Sequence, residues 1–332
     1  MADAALAEVM RGGRIESRHG GAAVVTDAGG RVIHAAGDIE AAEFPRSAVK
    51  AILALPLVEN GAADRLGLDD AELALSCASH TGEAHHVAVA ASMLRKAGRT
   101  DACLECGAHW PTSRSAAQAL AAAGRFPGPL HNNCSGKHAG FICAAVEAGD
   151  DPAGYVGPDH PTMRAATAAL ADLVGTVLDD RNRGIDGCGI PTYAIPLHAL
   201  ATGFARVGCG AGLSPDRARA AARLRAAVAS DPFLVAGRNR YDTTIMTLLG
   251  ARLFSKIGAE GIVAAAMPEL GLGFAVKCRD GAARAAEVAM TALIAPYLAP
   301  EERAGAAFQA LLNPVLTNWS GTRVGEIRPA AA

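Results

Sequence analysis

Short apolar runs separated by polar turn residues occur near the N-terminus. Two β-rich runs, residues 22–25 and 31–34, flank the turn-forming stretch 27–30, which contains aspartate and two glycines. Strand-like runs on either side of such a stretch are typical of a β-hairpin. The sequence therefore predicts a hairpin close to the start of the chain.

A similar pattern returns in the last third of the chain. The apolar runs 261–266 and 273–278 are separated by Pro268 and glycines, as in neighbouring strands, and residues 322–328 have the composition of a further strand. Strands are thus predicted near both ends of the chain.

Between these ends, apolar residues recur at helical spacing, and capping residues or glycines bound the segments. Helices are predicted from about residue 47 onward and over 69–75, 83–97, 115–123, 140–149, 160–178, 194–206, 215–229 and, near the C-terminus, 282–298. Two polar, glycine-rich stretches, 124–140 and 184–191, are predicted to be loops.

This order of elements predicts an α+β fold, in which an antiparallel sheet is built from both chain ends and a helical region is inserted between them. We expect residues 1–332 to form a single catalytic unit. Residues 1–45 and 235–332 are expected to share the sheet, and residues 46–234 to form the mostly helical region.

Composition narrows the classes of partner. The 332 residues carry a net charge of −2, so no nucleic acid or anionic membrane surface is expected as a partner. No apolar run reaches the length of a membrane span, and the first residues lack the pattern of an export signal. We therefore expect a cytoplasmic protein whose eight cysteines are reduced thiols.

The first candidate for chemistry is an S-x-x-K motif formed by Ser47 and Lys50. Residues three apart share a helix face, so the two side chains can meet. A neutral lysine amine can take the proton of a serine hydroxyl, and the apolar neighbours of Lys50 favour its neutral form. The competing interpretation of so short a motif is a helix start followed by a surface lysine.

The second candidate lies in the polar stretch around residues 132–141. Gly136 and Lys137 do not form a phosphate-binding loop, because the upstream glycine is missing and a histidine follows the lysine. Cys134, Lys137 and Cys188 could instead hold a metal, and two thiolates suit zinc. The alternative is a polar turn ahead of a helix.

Taken together, six segments resemble the rhizobial-type, or class 3, L-asparaginases. They are F-P-R-S-A-V-K (44–50), C-A-S-H-T-G-E (77–83), H-W-P (109–111), N-C-S-G-K-H-A-G (133–140), D-G-C-G-I-P (186–191) and S-K-I-G-A-E-G (255–261). These segments occur in this order over nearly the whole chain. The resemblance implies a fold similar to that of serine β-lactamases and glutaminases.

The resemblance also implies an activity and the residues that perform it. The activity is hydrolysis of L-asparagine to L-aspartate and ammonia through a serine nucleophile. The implied catalytic residues are two Ser-Lys tandems, which pair Ser47 with Lys50 and Ser79 with Lys256. The implied zinc ligands are Cys134, Lys137 and Cys188; the implied pocket residues are Arg46, His80, His138 and Asp186.

The zinc is expected to tune substrate binding and not to perform the chemical step, since two thiolates and an amine leave it a weak Lewis acid. The resemblance further implies a homodimer. Two alternatives remain at this point: a glutaminase or another serine amidohydrolase of the same fold, and a non-catalytic binding protein that contains zinc.

Overall fold

The computed structural model describes residues 3–331. Its strands are β1 (Ala4–Arg11), β2 (Arg14–Asp27), β3 (Val32–Ala36), β4 (Ala42–Glu43), β5 (Arg183–Ile185), β6 (Pro191–Tyr193), β7 (Ile195–Pro196), β8 (Phe254–Ile257), β9 (Ile262–Met267), β10 (Leu272–Cys278), β11 (Val315–Thr317) and β12 (Arg323–Pro329).

The α-helices outnumber the strands over the same residues. They are α1 (Lys50–Leu53), α2 (Leu55–Glu59), α3 (Ala62–Arg65), α4 (Asp70–Ser76), α5 (Ala84–Lys96), α6 (Arg114–Ala122), α7 (Ser135–Ala148), α8 (Pro161–Val174), α9 (Leu197–Cys209), α10 (Pro215–Ser230), α11 (Pro232–Ala236), α12 (Tyr241–Leu249), α13 (Ala283–Ile294), α14 (Pro300–Ala304) and α15 (Ala306–Leu312). Across residues 3–331, none of them is both long and apolar enough to cross a membrane.

The chain divides into two compact units. The first comprises Met1–Ala48, Ala194–Gly212 and Ser255–Ala332. It contains a sheet of order β11-β12-β1-β2-β10-β9-β8, with β3 also paired to β2, so strands from both ends of the chain meet in one sheet. Neighbours such as β1 and β2, or β2 and β10, run antiparallel. Helices α9 and α13 pack against this sheet.

The second unit comprises Val49–Tyr193 and Leu213–Phe254. It is helical apart from the short pair β5–β6. Helix α7 is its centre: residues 135–145 are all buried, and the helix contacts α2, α3, α4, α5 and α8. Polar residues in the first turn of α7 are therefore placed in the interior of this unit.

The predicted fold class, a mixed fold with an antiparallel sheet built from both chain ends, is confirmed. The hairpin is present as β2 and β3, although β2 is much longer than predicted. Strand β1 and helix α12 were not predicted. The predicted loop over 124–140 is wrong in its last third, because α7 already begins at Ser135.

Candidate active site

Lys50 lies at the centre of a polar cluster in the second unit. Its side chain is 1% exposed, and its Nζ donates a hydrogen bond to the carbonyl oxygen of Ala78 at 2.6 Å. The same Nζ is 2.8 Å from Ser79 Oγ and 3.2 Å from Cys134 Sγ. A buried lysine is thus held by a backbone carbonyl, a serine hydroxyl and a cysteine thiol.

Two chain segments bring these partners to Lys50. Ser79 follows the end of α4, and its backbone N–H donates to the carbonyl oxygen of Val235 at 2.8 Å. Cys134 directly precedes α7, and its backbone N–H donates to Asn132 Oδ1 at 2.8 Å. Both segments are fixed through their backbones, so their side chains approach Lys50 from defined directions.

Lys137 and Cys188 extend the cluster. Lys137 is 2% exposed, and its Nζ donates to Cys188 Sγ at 3.0 Å. Cys188 lies in a tight turn in which Gly189 N–H donates to the carbonyl oxygen of Asp186 at 2.9 Å, and Gly189 has a φ of 92°, which glycine adopts without strain. The turn aims the Cys188 thiol at the first turn of α7.

The electrostatics of this group favour one thiolate. A hydrogen bond from the Cys188 thiol, with the charges of Lys50 and Lys137, outweighs burial and holds the pKa of Cys134 well below its ordinary value. The hydrogen bond to Cys134 and burial raise the pKa of Cys188. Burial opposes the charged form of Lys137, but the charges of Cys134 and Cys188 outweigh that effect and raise its pKa.

Cys134, Lys137 and Cys188 fit the donor set of the predicted zinc ion. The lysine amine and the two thiols converge, and the low pKa of Cys134 favours the thiolate that a metal requires. Lys137 would have to release its proton on binding. Over residues 3–331, no group of three or more His, Cys, Asp and Glu side chains is arranged to hold a metal, so the zinc site stays a prediction based on a set that includes lysine.

His138 lies beside Lys137 and is fully buried. Its Nδ1 is 2.6 Å from the hydroxyl oxygen of Tyr155, and this oxygen accepts the backbone N–H of Glu105 at 2.9 Å. Tyr155 therefore holds the His138 ring in place through Nδ1. Burial and the nearby charges of Lys137 and Lys50 hold the pKa of His138 well below its ordinary value, so the ring is neutral.

The first unit contains the other predicted residues. Arg46 and Ser47 lie in a short 3₁₀ helix, Arg46–Val49, and Arg46 has a φ of 50°, which is unusual for a residue other than glycine. Lys256 lies on β8, is fully buried, and donates to the carbonyl oxygen of Ile257 at 2.8 Å. A Cβ on Gly258 would lie 2.6 Å from the carbonyl oxygen of Pro45, so the end of β8 packs directly on the turn that carries Ser47.

The predicted site residues thus fall into two groups. The second unit holds Lys50, Ser79, His80, Cys134, Lys137, His138, Asp186 and Cys188, and the first holds Arg46, Ser47 and Lys256. Each predicted tandem takes one residue from each group, and both tandems stay predictions. The structure does show a Ser-Lys contact that the spacing did not suggest, between Lys50 and Ser79.

Sequence reasoning missed two residues of the cluster. Tyr155 orients His138, and Ser135 accepts a hydrogen bond from His80. Tyr155 belongs to no motif, so nothing local indicated it. Ser135 lies within the 133–140 segment, and its position between Cys134 and Lys137 was a usable signal.

Comparisons with known proteins give a family and a structural likeness. The family described as L-asparaginase II matches residues 7–329. No curated protein matches the chain. Among solved structures, a β-lactamase from Mycobacterium bovis is similar at 14% sequence identity and a TM-score of 0.39, with 83% of this chain and 94% of that chain covered.

Proposed function

The chain belongs to the L-asparaginase II family, and from this premise we propose that it hydrolyses L-asparagine to L-aspartate and ammonia through a serine nucleophile. The family match extends over nearly the whole chain and confirms the resemblance to asparaginases seen in the six segments. An enzyme of this type acts on the side-chain amide of a small amino acid.

The observation that carries the serine mechanism is the contact between Lys50 and Ser79. A neutral lysine amine has two N–H groups and one lone pair. The carbonyl of Ala78 and a Cys134 thiolate can only accept hydrogen bonds, whereas the Ser79 hydroxyl can donate one. Lys50 Nζ is thus within hydrogen-bond distance of a serine hydroxyl, and a lysine amine that has lost its proton could accept the hydroxyl proton there.

We assign nucleophilic attack to Ser47. Its oxygen would bond to the amide carbon while Lys50 accepts the hydroxyl proton, which raises the nucleophilicity of the serine. Ser79, at 2.8 Å from Lys50 Nζ, would pass a proton to the departing ammonia. Water then cleaves the ester to give aspartate and free serine, and Lys256 with Ser79 would assist this second step.

Zinc has a limited role in this proposal. Cys134, Lys137 and Cys188 would hold it, and when bound it would supply positive charge beside the pocket and fix the position of the α7 start. The proton on Lys137 would leave as the metal enters. The Ser-Lys chemistry does not need a metal-bound nucleophile.

Ammonia release from L-asparagine and L-glutamine tests the activity, and ring opening of a β-lactam, which releases no ammonia, is followed separately by its loss of absorbance. We expect asparagine to be turned over much faster than the other two. Equal or faster turnover of glutamine would replace the proposal with a glutaminase, and hydrolysis of the β-lactam alone would place the enzyme in a different class. Ligand binding without turnover of any substrate would indicate a binding protein.

Labelling with a diazoketone analogue of asparagine tests the nucleophile. Peptide mass spectrometry should locate the adduct on Ser47, and Ser47→Ala should abolish both labelling and turnover. The exposed Ser320 gives a matched control, since Ser320→Ala removes a hydroxyl far along the chain from every site segment. An adduct on Ser79 would make Ser79 the nucleophile and overturn the assignment.

A homodimer is part of the same proposal, and it rests on the resemblance and on the Ala- and Gly-rich helices, which allow close packing. The cytoplasmic location expected from the sequence is proposed with it. Light scattering should give twice the chain mass of 33.7 kDa. A particle with the mass of one chain would contradict the dimer and leave the proposed activity unaffected.

A further inference from the structure

His80 is buried, with 1% of its surface exposed, and both of its ring nitrogens form hydrogen bonds within the protein. Its Nδ1 accepts the backbone N–H of Gly82 at 3.1 Å. The ring proton is therefore on Nε2, which donates to Ser135 Oγ at 2.9 Å. Ser135 in turn donates its hydroxyl proton to the carbonyl oxygen of Leu130 at 2.9 Å. The direction of each hydrogen bond in this series is therefore defined.

The ring is also held from its face. The His86 ring stacks on it with centroids 4.9 Å apart and an angle of 10° between the planes, and Phe233 stacks on His86 at 4.6 Å. Burial and the like charges of His86 and Lys50 keep the pKa of His80 well below its ordinary value. A neutral ring fixed on its edge and its face has no freedom to bind a substrate.

His80 and Ser135 lie next to two residues that contact Lys50. His80 directly follows Ser79, and Ser135 directly follows Cys134. Ser79 Oγ and Cys134 Sγ are two of the three groups around Lys50 Nζ. The His80–Ser135 hydrogen bond therefore joins the two segments one residue beyond the atoms that Lys50 contacts.

A backbone contact reinforces this link. The N–H of His80 donates to the carbonyl oxygen of Asn133 at 3.1 Å, so the segments are joined on both sides of Cys134. Separation of the segments would increase the distance between Ser79 Oγ and Cys134 Sγ. Lys50 Nζ could then keep one of these contacts but not both.

We propose that the His80–Ser135 hydrogen bond has a positioning role. It sets the spacing of Ser79 and Cys134 around the amine of Lys50, the proposed base. His80 then acts through its neighbours and does not contact substrate, in contrast to the pocket role that the resemblance implies for it. This inference rests on the proposed function in one respect: Lys50 and Ser79 must take part in turnover.

Two substitutions at His80 separate positioning from packing. His80→Gln retains an amide donor near the place of Nε2, and His80→Asn is too short to reach Ser135. We expect His80→Asn to lower kcat about 10- to 100-fold, because small displacements of catalytic groups have effects of this size, while KM changes little. His80→Gln should recover most of the rate.

Ser135→Ala removes the other partner and gives an independent test. It should reduce kcat by a similar factor, and the double variant with His80→Asn should be no slower than the worse single variant, since both changes break one link. The exposed His85 on the following helix, α5, is the control, and His85→Asn should keep wild-type kcat and KM.

A crystal structure of His80→Asn supplies a readout that does not depend on activity. Ser79 Oγ and Cys134 Sγ should no longer both lie within hydrogen-bond distance of Lys50 Nζ. The proposal is overturned if both contacts persist, if the Gln and Asn variants lose the same activity, or if the double loss is the product of the single losses. Wild-type protein that is inactive on every amide would refute the proposed function alone, because the crystal structure still tests the link.

Discussion

Gly136→Ala should destabilise the protein, whereas Gly140→Ala should not, although both glycines lie on α7 and are one turn apart. A Cβ on Gly136 would lie 2.5 Å from Leu75 Cγ and 2.9 Å from the Leu75 carbonyl carbon, and closer still to the Leu75 oxygen. A Cβ on Gly140 would meet Leu57 Cδ2 and Ser76 Cβ at 3.4 Å, which is ordinary contact.

The size of the effect follows from these distances. To bring the Gly136 Cβ to ordinary contact with Leu75, the start of α7 must move by about 1 Å, and overpacking of this kind destabilises by about 1–3 kcal/mol. Alanine favours a helix interior over glycine by about 1 kcal/mol, which offsets part of the loss at Gly136 and acts alone at Gly140. We expect Gly136→Ala to lower the free energy of unfolding by up to about 2 kcal/mol and Gly140→Ala to leave it equal or slightly higher.

The same displacement should reach the site, because Lys137 follows Gly136 directly and Cys134 precedes α7. Turnover of Gly136→Ala should fall at least about tenfold, and Gly140→Ala should remain near wild type. Urea unfolding followed by circular dichroism, together with ammonia-release kinetics, measures both effects on one preparation. Equal unfolding midpoints and equal turnover for the two variants would refute the close approach of α7 to Leu75.

Three further predictions concern pH, the Ser47 turn and the metal. The pKa values of His80 and His138 lie below 6.5, so below that pH the unfolded chain binds protons that the folded chain does not. The contribution of each of these histidines to stability should therefore fall by up to about 1.4 kcal/mol per pH unit below pH 6.5 and be constant above it. Melting temperatures that do not change down to about pH 5 would contradict this. Gly258→Ala should reduce turnover by displacing the adjacent 3₁₀ helix, whereas Gly128→Ala, whose Cβ would meet nothing within 4 Å, should have no effect on the rate. Cys188→Ala should lower the zinc content in elemental analysis. Removal of zinc by a chelator should raise KM more than it lowers kcat. A zinc-free enzyme that is fully inactive and recovers with zinc would make the metal catalytic.

The strands could be predicted where apolar positions are concentrated locally. Strand β10 is almost entirely buried, and its apolar run was sufficient to place it. Strand β1 lacks such a signal, because its buried positions include Glu8, which is 6% exposed. Arg328, 320 positions away along the chain, donates to the Glu8 carboxylate at 2.9 Å. Because its partner is so distant along the chain, a local pattern of hydrophobic and polar residues assigns this buried carboxylate to the surface.

The start of α7 was predicted to be a loop because its residues are polar. Ser135, Lys137 and His138 are polar, and polar residues beside glycines are typical of a loop. In the structure all three are buried, because their partners are other polar side chains of the second unit: His80 for Ser135, Cys188 for Lys137 and Tyr155 for His138. A functional cluster inside a helical region therefore has the composition of a loop.

The residue types of the site could be predicted from the sequence, but the contacts between their side chains could not. The S-x-x-K spacing considers only residues three apart, and it placed Lys50 with Ser47. Lys50 Nζ contacts groups 28, 29 and 84 positions along the chain, which the motif does not include. These contacts depend on where α4 ends and where α7 begins, and neither boundary is encoded in the motif. The residue types that amide hydrolysis needs are visible in the sequence, but the arrangement that makes one lysine the partner of a given serine arises only when two helix termini converge on it.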